Sequence, residues 1–197
     1  LTIEPGVVIK VYGGSSLYAY GPLYINGTEE NPVIFTKLTD MEIGGEIPVR
    51  VDQLSNTSRF DSIFFYAGSD GSTITNLELL SIKDGVIFDE TFATVDGLDM
   101  SDIDYGITIY GGEISISNAE IENVRRDAVT VYDGDLILAN STISGIEDGD
   151  AIALYTASST FNMVSIRNVA DGSALGMYDS YATVANSLFE GGTGSGI

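Results

Sequence analysis

Apolar and polar positions repeat along the latter part of the chain at a nearly constant interval. One position recurs with steps of 21, 21, 22, 23 and 23 residues, at Asn76, Gly97, Asn118, Asn140, Met163 and Asn186. An apolar residue stands two places before each of these positions, and another stands three places after it. Self-similarity with a period of about 20 to 50 residues indicates units that bury their apolar faces only by stacking on one another. The pattern therefore predicts a repeat protein.

The residues inside each repeat predict strands rather than helices. Short stretches such as Val86–Phe88 and Ile107–Ile109 alternate inward and outward positions with a period of two, which is typical of β-strands. No long stretch carries apolar residues at the i, i+3, i+4 and i+7 spacing of an amphipathic helix. Each repeat is also shorter than a propeller blade, which needs about 40 residues. We therefore expect an all-β solenoid whose successive coils pair in parallel about 4.8 Å apart.

A turn is expected before each of these strands, because small and acidic residues tolerate the unusual backbone angles of a tight bend. The predicted turn dipeptides are Asp84-Gly85, Tyr105-Gly106, Asp127-Ala128, Asp148-Gly149 and Asp171-Gly172. In this alignment the acidic turn residues of adjacent coils lie above one another.

Two sets of residues carry a resemblance to a known family. One is the asparagine column, which consists of Asn76, Asn118, Asn140 and Asn186. The other is the N-terminal segment 1–10 with the segments 26–28 and 31–36 that follow it. The chain resembles the right-handed parallel β-helix superfamily with the pectate-lyase-like fold, and in particular the repeat segments of secreted prokaryotic surface proteins. The resemblance implies an internal asparagine ladder, in which stacked amides satisfy backbone groups at a turn.

The sequence is interpreted as a single β-helix segment with three parts. Residues 1–37 are expected to form N-terminal coils, residues 38–59 a polar excursion and residues 60–197 regular coils. A solenoid needs capped ends for solubility. We therefore expect the segment to belong to a longer chain or to an assembly.

The charge of the chain is strongly one-sided. The sequence has 8 Lys and Arg against 29 Asp and Glu, a formal net charge of −21. Nucleic acids and anionic membrane surfaces are therefore poor partners, and the sequence has no apolar run of the length that membrane insertion needs. Three explanations of the acidity stay open: a solvated coat that prevents aggregation at strand edges, adaptation to high salt, and binding of divalent cations, with Ca²⁺ as the leading candidate.

Calcium has specific candidate ligands in two neighbouring repeats. They are the five carboxylates of Asp133, Asp135, Glu147, Asp148 and Asp150. Asp127 and Asp171 occupy the same predicted turn column as Asp148, and stacked carboxylates repel unless a cation or protons intervene. No stretch matches the EF-hand or the glycine-rich nonapeptide calcium repeat. Calcium binding is therefore a hypothesis based on the clustering of carboxylates alone.

The chain contains no Cys and no His. Disulfides, zinc fingers, Ser-His-Asp triads and imidazole general bases are therefore excluded. The family resemblance implies an alternative function, that of a polysaccharide lyase or hydrolase, with Arg126 beside Asp127, Asp148 and Asp150 as a lyase-like set. A net charge of −21 repels polyuronate substrates unless calcium bridges them. We therefore favour a protein that is not an enzyme.

Four tyrosines stand eight residues before the recurring position in successive repeats. This tyrosine column consists of Tyr110, Tyr132, Tyr155 and Tyr178, and the period of two directs its side chains outward. One interpretation is an aromatic ladder that stabilises the sheet by cross-strand stacking. The other is a face that binds sugar rings or a partner surface. The arc from the recurring position to the next tyrosine grows from 13 to 15 residues, which indicates that insertions are tolerated there.

These observations predict a scaffold more clearly than an activity. We expect an extracellular or cell-surface β-helix module with a structural or adhesive role. Polysaccharide, calcium and other copies of the chain are its expected ligands or partners. Loops on a rigid scaffold commonly carry function, so the acidic variable arc and the tyrosine column are the first candidates for a binding site.

Overall fold

The computed structural model describes residues 1–46 and 60–193. Of the predicted polar excursion at 38–59, only residues 38–46 belong to the described part. Within that part the chain folds into a solenoid of stacked coils with no helix. The predicted all-β, right-handed parallel β-helix is confirmed.

Eighteen strands form the walls of the solenoid in the described residues. The first six are β1 (Thr2–Ile3), β2 (Val8–Val11), β3 (Leu17–Ala19), β4 (Tyr24–Asn26), β5 (Val33–Lys37) and β6 (Ile63–Phe65). The next six are β7 (Ser72–Leu80), β8 (Asp84–Asp89), β9 (Phe92–Ile103), β10 (Tyr105–Tyr110), β11 (Glu113–Val124) and β12 (Val129–Tyr132). The last six are β13 (Asp135–Asp148), β14 (Ile152–Tyr155), β15 (Ser158–Asp171), β16 (Leu175–Tyr178), β17 (Tyr181–Ala185) and β18 (Leu188–Phe189).

These strands form two parallel sheets that run along the solenoid. The seven-stranded sheet has the order β16-β14-β12-β10-β8-β6-β3. The eleven-stranded sheet has β1-β4-β7-β9-β11-β13-β15-β17 as its main path, with β2, β5 and β18 attached to it. Each strand pairs with its equivalent one coil away, so Ile109 lies beside Val131 and Val131 beside Leu154. Side chains of equivalent positions therefore stack in columns along the axis.

One coil illustrates how the sequence builds both sheets. Strand β10 contributes to the seven-stranded sheet, and the chain then turns at Gly111 and Gly112 into β11 of the eleven-stranded sheet. Strand β11 bends twice, at Asn118 and at Asn123, where φ is 54° in both cases. Only then does the chain return to the seven-stranded sheet as β12. A coil of about 22 residues can close because these bends are so short.

The core is a continuous stack of branched and aromatic side chains inside the coils. In the coil of β10 and β11, the side chains of Ile109, Ile116 and Ile121 are completely buried. Aromatic residues fill the earlier coils, where the rings of Phe65 and Phe88 stack with centroids 5.0 Å apart. Burying such a side chain contributes about 1.5 to 3 kcal/mol, so hydrophobic burial holds every coil to its neighbours.

The asparagine column marks the first bend of the long strands, and its predicted internal position is wrong. Asn118, Asn140 and Asn186 are exposed, and Asn76 is half-buried. All four have positive φ, with values of 43°, 54°, 50° and 53° along the chain. Asparagine tolerates this left-handed backbone better than most residues. The column therefore recurs because of the backbone conformation of the bend, and Gly97 and Met163 occupy the same conformation, with φ of 77° and 56°.

Two further columns of positive φ are evident in the structure. One follows the asparagine column by five residues and contains Ser81, Asp102, Asn123, Gly145 and Asn168. The other directly follows the ends of β8, β10, β12, β14 and β16 and contains Glu90, Gly111, Asp133, Thr156 and Asp179. Short polar residues and glycine predominate in both, as the left-handed region favours. Each coil between Glu90 and Asn168 therefore has three left-handed bends.

The strand register corrects the predicted turn column. Val129 pairs with Ile152, and Ile152 pairs with Leu175. The residues equivalent to Asp127 are therefore Asp150 and Ser173, and not Asp148 and Asp171. The prediction failed because the extra residues of the later coils lie between the second bend and this turn, which shifts any alignment made by counting. Asp148 and Asp171 do pair with each other, at the ends of β13 and β15.

Candidate functional site

The tyrosine column lies on the outer face of the seven-stranded sheet. Its members end β10, β12, β14 and β16, and each is in register with the next. The ring centroids are 5.2, 4.8 and 4.7 Å apart along the column, with interplanar angles of 8°, 12° and 6°. This geometry is offset stacking, which contributes about 0.5 to 1.5 kcal/mol per pair beyond the burial of area. The column therefore binds neighbouring coils together.

Stacking determines which parts of the tyrosines can meet a ligand. Tyr132 and Tyr155 each have a ring on both faces and are half-buried. Tyr110 and Tyr178, at the two ends of the column, are 45% and 51% exposed. The two inner tyrosines thus present ring edges and hydroxyl groups, and not flat faces. A sugar ring cannot stack face-on against the middle of the column.

The phenol groups of the two inner tyrosines remain protonated at neutral pH. Burial is the main cause that raises the pKa of Tyr132, and the neighbouring Tyr110 raises it further. Burial likewise raises the pKa of Tyr155, followed by the effects of Tyr178 and Tyr132. A protonated phenol both donates and accepts a hydrogen bond. The middle of the column therefore offers a row of hydroxyl groups with one group per coil.

The structure extends the aromatic surface beyond the four predicted tyrosines. Tyr66 follows Phe65, which pairs with Phe88, so the equivalent residue in the next coil is Asp89. Asp89 in turn pairs with Tyr110. Tyr66 stacks on Tyr20 with centroids 4.8 Å apart and an interplanar angle of 2°. The column position thus carries tyrosine before and after Asp89. Tyr20 does not follow the constant spacing of the column because residues 38–59 separate it from Tyr66.

A second candidate surface is a row of carboxylates on the eleven-stranded sheet. Glu78 on β7 pairs with Asp99 on β9, and Asp99 pairs with Glu120 on β11. The three side chains line a cleft of about 240 Å³, which we name the acidic cleft. Its other lining residues are Thr28, Glu29, Pro32, Asn76, Leu77, Gly97, Leu98 and Asn118, with no Lys or Arg among them.

Burial and mutual repulsion shift the titration of this row. Burial raises the pKa of Glu78, and the charge of Asp99 raises it further. Burial also raises the pKa of Asp99, with a smaller effect from Glu122. For Glu120 the charge of Asp99 is the main cause that raises the pKa, ahead of burial. Sequence reasoning missed the row, although its members stand two residues after the recurring position in three successive repeats.

Two aspartates of the proposed lyase-like set, Asp127 and Asp150, accept hydrogen bonds from backbone N–H groups of the next coil. The backbone N–H of Asp150 donates to Asp127 Oδ1 over 2.8 Å. The N–H of Ser173 donates to Asp150 Oδ1 over 2.7 Å. Burial raises the pKa of Asp127, while the hydrogen bond from Asp150 opposes this shift. Arg126 Cζ lies 5.8 Å from the centroid of the Tyr105 ring. These contacts of Asp127, Asp150 and Arg126 join adjacent coils.

The predicted calcium ligands lie at opposite ends of one strand. Asp135 begins β13 and follows the bend at Asp133, whereas Glu147 and Asp148 end the same strand. Asp150 is engaged by Ser173 as described above. Across the described ranges 1–46 and 60–193, no three Asp or Glu side chains are close enough together to hold a metal ion. The structure does not gather the five carboxylates, and calcium binding stays a prediction.

The exposed amides of the asparagine column still connect coils. Asn118 Nδ2 donates to Asp96 Oδ1 over 2.6 Å, and Asn186 Nδ2 donates to Asn162 Oδ1 over 3.0 Å. Asn76 Nδ2 donates to the carbonyl of Gly27 over 3.2 Å. In each case the acceptor belongs to the preceding coil. The predicted cross-coil role thus has a geometric basis at the surface, with acceptors other than asparagines of the column.

The described residues include no helix of the length and apolar character that crossing a membrane requires.

Comparison with known proteins gives one structural likeness and one family. The structure is similar to the alginate lyase from Paenibacillus sp. str. FPU-7, with 15% sequence identity, a TM-score of 0.39, and coverage of 98% of this chain and 92% of that one. A likeness of this extent leaves the activity of the chain open. No curated protein matches the chain. The profile of the family described as "Right handed beta helix region" matches residues 61–197, and the chain belongs to that family.

Proposed function

We propose that the chain is an extracellular adhesive module that binds a linear polysaccharide along its seven-stranded sheet. The observation that carries this proposal is the tyrosine column, whose phenol groups recur once per coil on an outer face. A ligand that also repeats at a constant interval can use such a row many times, and weak contacts then add to a useful affinity. The strand register keeps the row straight.

The acidic surface supports an extracellular role and limits which charge class of polysaccharide the protein can bind. A net charge of −21 keeps a repetitive β structure soluble. The same charge disfavours polyanionic polysaccharides and favours neutral or cationic ones. A structural role for the stacked rings is compatible with adhesion, because the stacking uses ring faces while binding would use hydroxyl groups and edges.

The experiment separates the hydroxyl groups from the stacking. Replacing both Tyr132 and Tyr155 with Phe keeps every ring and removes two hydroxyl groups from the middle of the column. Co-sedimentation with a panel of insoluble polysaccharides, among them cellulose, chitin and chitosan, should show weaker binding by this variant than by the wild type. Tyr181→Phe is the matched control, since Tyr181 is 81% exposed on β17 of the other sheet. Equal binding by all three proteins contradicts the proposal.

A polysaccharide lyase or hydrolase is the second candidate, and the acidic cleft is the observation that favours it. A carboxyl group whose pKa is raised keeps its proton to a higher pH and can then act as a general acid, and burial or charge raises the pKa of all three carboxyls in the row. Incubation with alginate, polygalacturonate and neutral glucans, followed by reducing-end and unsaturated-uronate assays, tests this candidate. Activity that persists unchanged in Asp99→Asn would remove the acidic cleft as its site.

A further inference from the structure

The tyrosine column has an open ring face where Asp89 interrupts the run of tyrosines. Among the described rings, Tyr110 stacks with Tyr132 alone, on the side away from Asp89. The ring of Tyr110 is 45% exposed, whereas Tyr132, with a ring on each side, is half-buried. Asp89 pairs with Tyr110 in the strand register. A flat aromatic surface and a carboxylate thus lie side by side on adjacent coils.

The aromatic rings of the coil before Asp89 stack on one another, and none of them stacks on the open face of Tyr110. Tyr66 is engaged by Tyr20 at 4.8 Å and by Phe64 at 4.2 Å, measured between ring centroids. Phe64 belongs to the column that runs beside the tyrosines, since it pairs with Ile87. In the column, Asp89 therefore lies between Tyr66 one coil before it and Tyr110 one coil after it. A ligand on the open face of Tyr110 can therefore also reach the Asp89 carboxylate.

The Asp89 carboxylate is available for a ligand. Within the part of the chain that the structure describes, no side chain forms an ion pair with Asp89 or donates a hydrogen bond to it. It is half-buried at the end of β8, and Glu90 follows it at the bend with φ of 48°. A partly desolvated carboxylate next to an aromatic face favours a cation that also has apolar surface. Arg126 and Tyr105 show the same pairing of a cation with a tyrosine ring elsewhere in this molecule.

We propose that Asp89 and the open face of Tyr110 bind a protonated amino sugar within a cationic polysaccharide. The proposal rests on the proposed function and specifies its substrate class. The apolar face of the sugar ring packs on Tyr110, and its ammonium group pairs with Asp89. The net charge of −21 attracts such a polymer and repels uronic acids. This preference is opposite to that expected of an enzyme that cleaves acidic polysaccharides.

The test compares three oligosaccharides of equal length by calorimetry. The probes are a β-1,4-linked glucosamine hexamer, its fully N-acetylated form and a galacturonate hexamer. A mildly acidic buffer of about pH 5.5 keeps ordinary Asp carboxyls ionised and the sugar amines protonated. The wild type should bind the glucosamine hexamer most tightly and the galacturonate hexamer least tightly. Equal affinity for the amino and the N-acetylated hexamer overturns the role of the ammonium group.

Two substitutions and one matched control test whether the ligand binds at Asp89 and Tyr110. Asp89→Asn removes the charge and keeps the open ring face, and Asp89→Tyr closes that face with another ring. Each should weaken binding of the glucosamine hexamer at least about tenfold, the loss expected for one charge-assisted contact. Asp133→Asn removes the same charge two coils further on, next to Tyr132, whose two ring faces are both covered, and should change the affinity less than about twofold.

The outcomes distinguish this site from the function on which it rests. If Asp133→Asn weakens binding as much as Asp89→Asn does, the attraction is diffuse and the site is overturned. If the Asp89 variants bind as tightly as the wild type, the site is overturned while polysaccharide binding stands. If the wild type binds no polysaccharide at all, both proposals fail. Thermal unfolding of each variant checks the fold, and Asp89→Asn alone decides the matter if Asp89→Tyr does not fold.

Discussion

The tyrosine column and the acidic cleft are built by the same rule and have opposite energetic consequences. In both, the parallel register places equivalent side chains on adjacent coils above one another. Tyrosine rings in that arrangement attract each other through stacking. Carboxylates in the same arrangement repel each other and lose hydration. A solenoid therefore multiplies the effect of whatever residue a column repeats, whether that effect stabilises or destabilises the fold.

The largest test of this comparison is the removal of an inner ring. Tyr132→Ser eliminates two stacked pairs, which should cost about 1 to 3 kcal/mol at about 0.5 to 1.5 kcal/mol per pair. Tyr178→Ser eliminates one pair and should cost about half as much. Chemical denaturation of both variants measures the difference. If the two substitutions cost the same free energy of unfolding, ring stacking does not account for the stability that the column contributes.

The bend between the two surfaces can be tested at Asn118, where φ is 54°. Asn118→Ala and Asn118→Gly both remove the hydrogen bond to Asp96, so the difference between them isolates the backbone. Alanine in the left-handed region costs about 1 to 2 kcal/mol, a strain that glycine does not have. We therefore expect the alanine variant to unfold at the lower denaturant concentration. The reverse order would show that left-handed backbone strain does not explain the residue preference of this bend.

A smaller effect of opposite sign is expected in the acidic cleft. Asp99→Asn removes the central charge of the row and should stabilise the protein at pH 7 by about 0.2 to 1 kcal/mol, the range for cross-strand charge pairs. The charged groups around the row, Glu29 and Glu122, are also acidic. Denaturation at pH 7 measures the gain, and Asp133→Asn provides a control outside the cleft. A loss of stability specific to Asp99→Asn would contradict the conclusion that the carboxylates of the row repel one another.

The same row predicts the direction of a pH effect. The pKa of Asp99 in the folded protein is raised above its ordinary value of 3.8, mainly by burial. The stability that protonation of such a group provides is fully present below the ordinary value and is lost as the pH rises through the folded pKa. Wild-type protein should therefore gain melting temperature relative to Asp99→Asn as the pH falls from 7 towards 4. A constant difference between the two proteins over this range would refute the shift.

The smallest expected effect concerns calcium. Millimolar Ca²⁺ should raise the melting temperature slightly more than NaCl of equal ionic strength does, because a divalent ion reduces repulsion between neighbouring carboxylates. A bound ion at the predicted ligands would make this gain depend on Asp148 and Asp150. Asp148→Asn is the informative variant, since Asp148 is exposed and pairs with Asp171. No gain over NaCl in the wild type would remove the calcium hypothesis.

The fold could be predicted from the sequence more completely than the candidate site. The inward positions repeat because a buried column accepts only apolar residues, so the period and the all-β solenoid were predictable. The predicted internal position of the asparagines was wrong because a left-handed bend at the surface favours asparagine just as an internal amide ladder does. The turn column was shifted by insertions that lie just before it, as Asp150 shows. The interruption at Asp89 was missed because the column was defined by its tyrosines, so an aspartate at the equivalent position was not recognised as part of it.

Asp89 has a consequence for how a repetitive surface meets a repetitive polymer. A surface that is identical in every coil gives a linear ligand many equivalent positions one coil apart, and the ligand can slide between them with little change in free energy. One coil with different chemistry makes these positions unequal. A ligand that recognises Asp89 would then stop in a single alignment, so the irregular coil would set the position and the regular coils would supply the affinity.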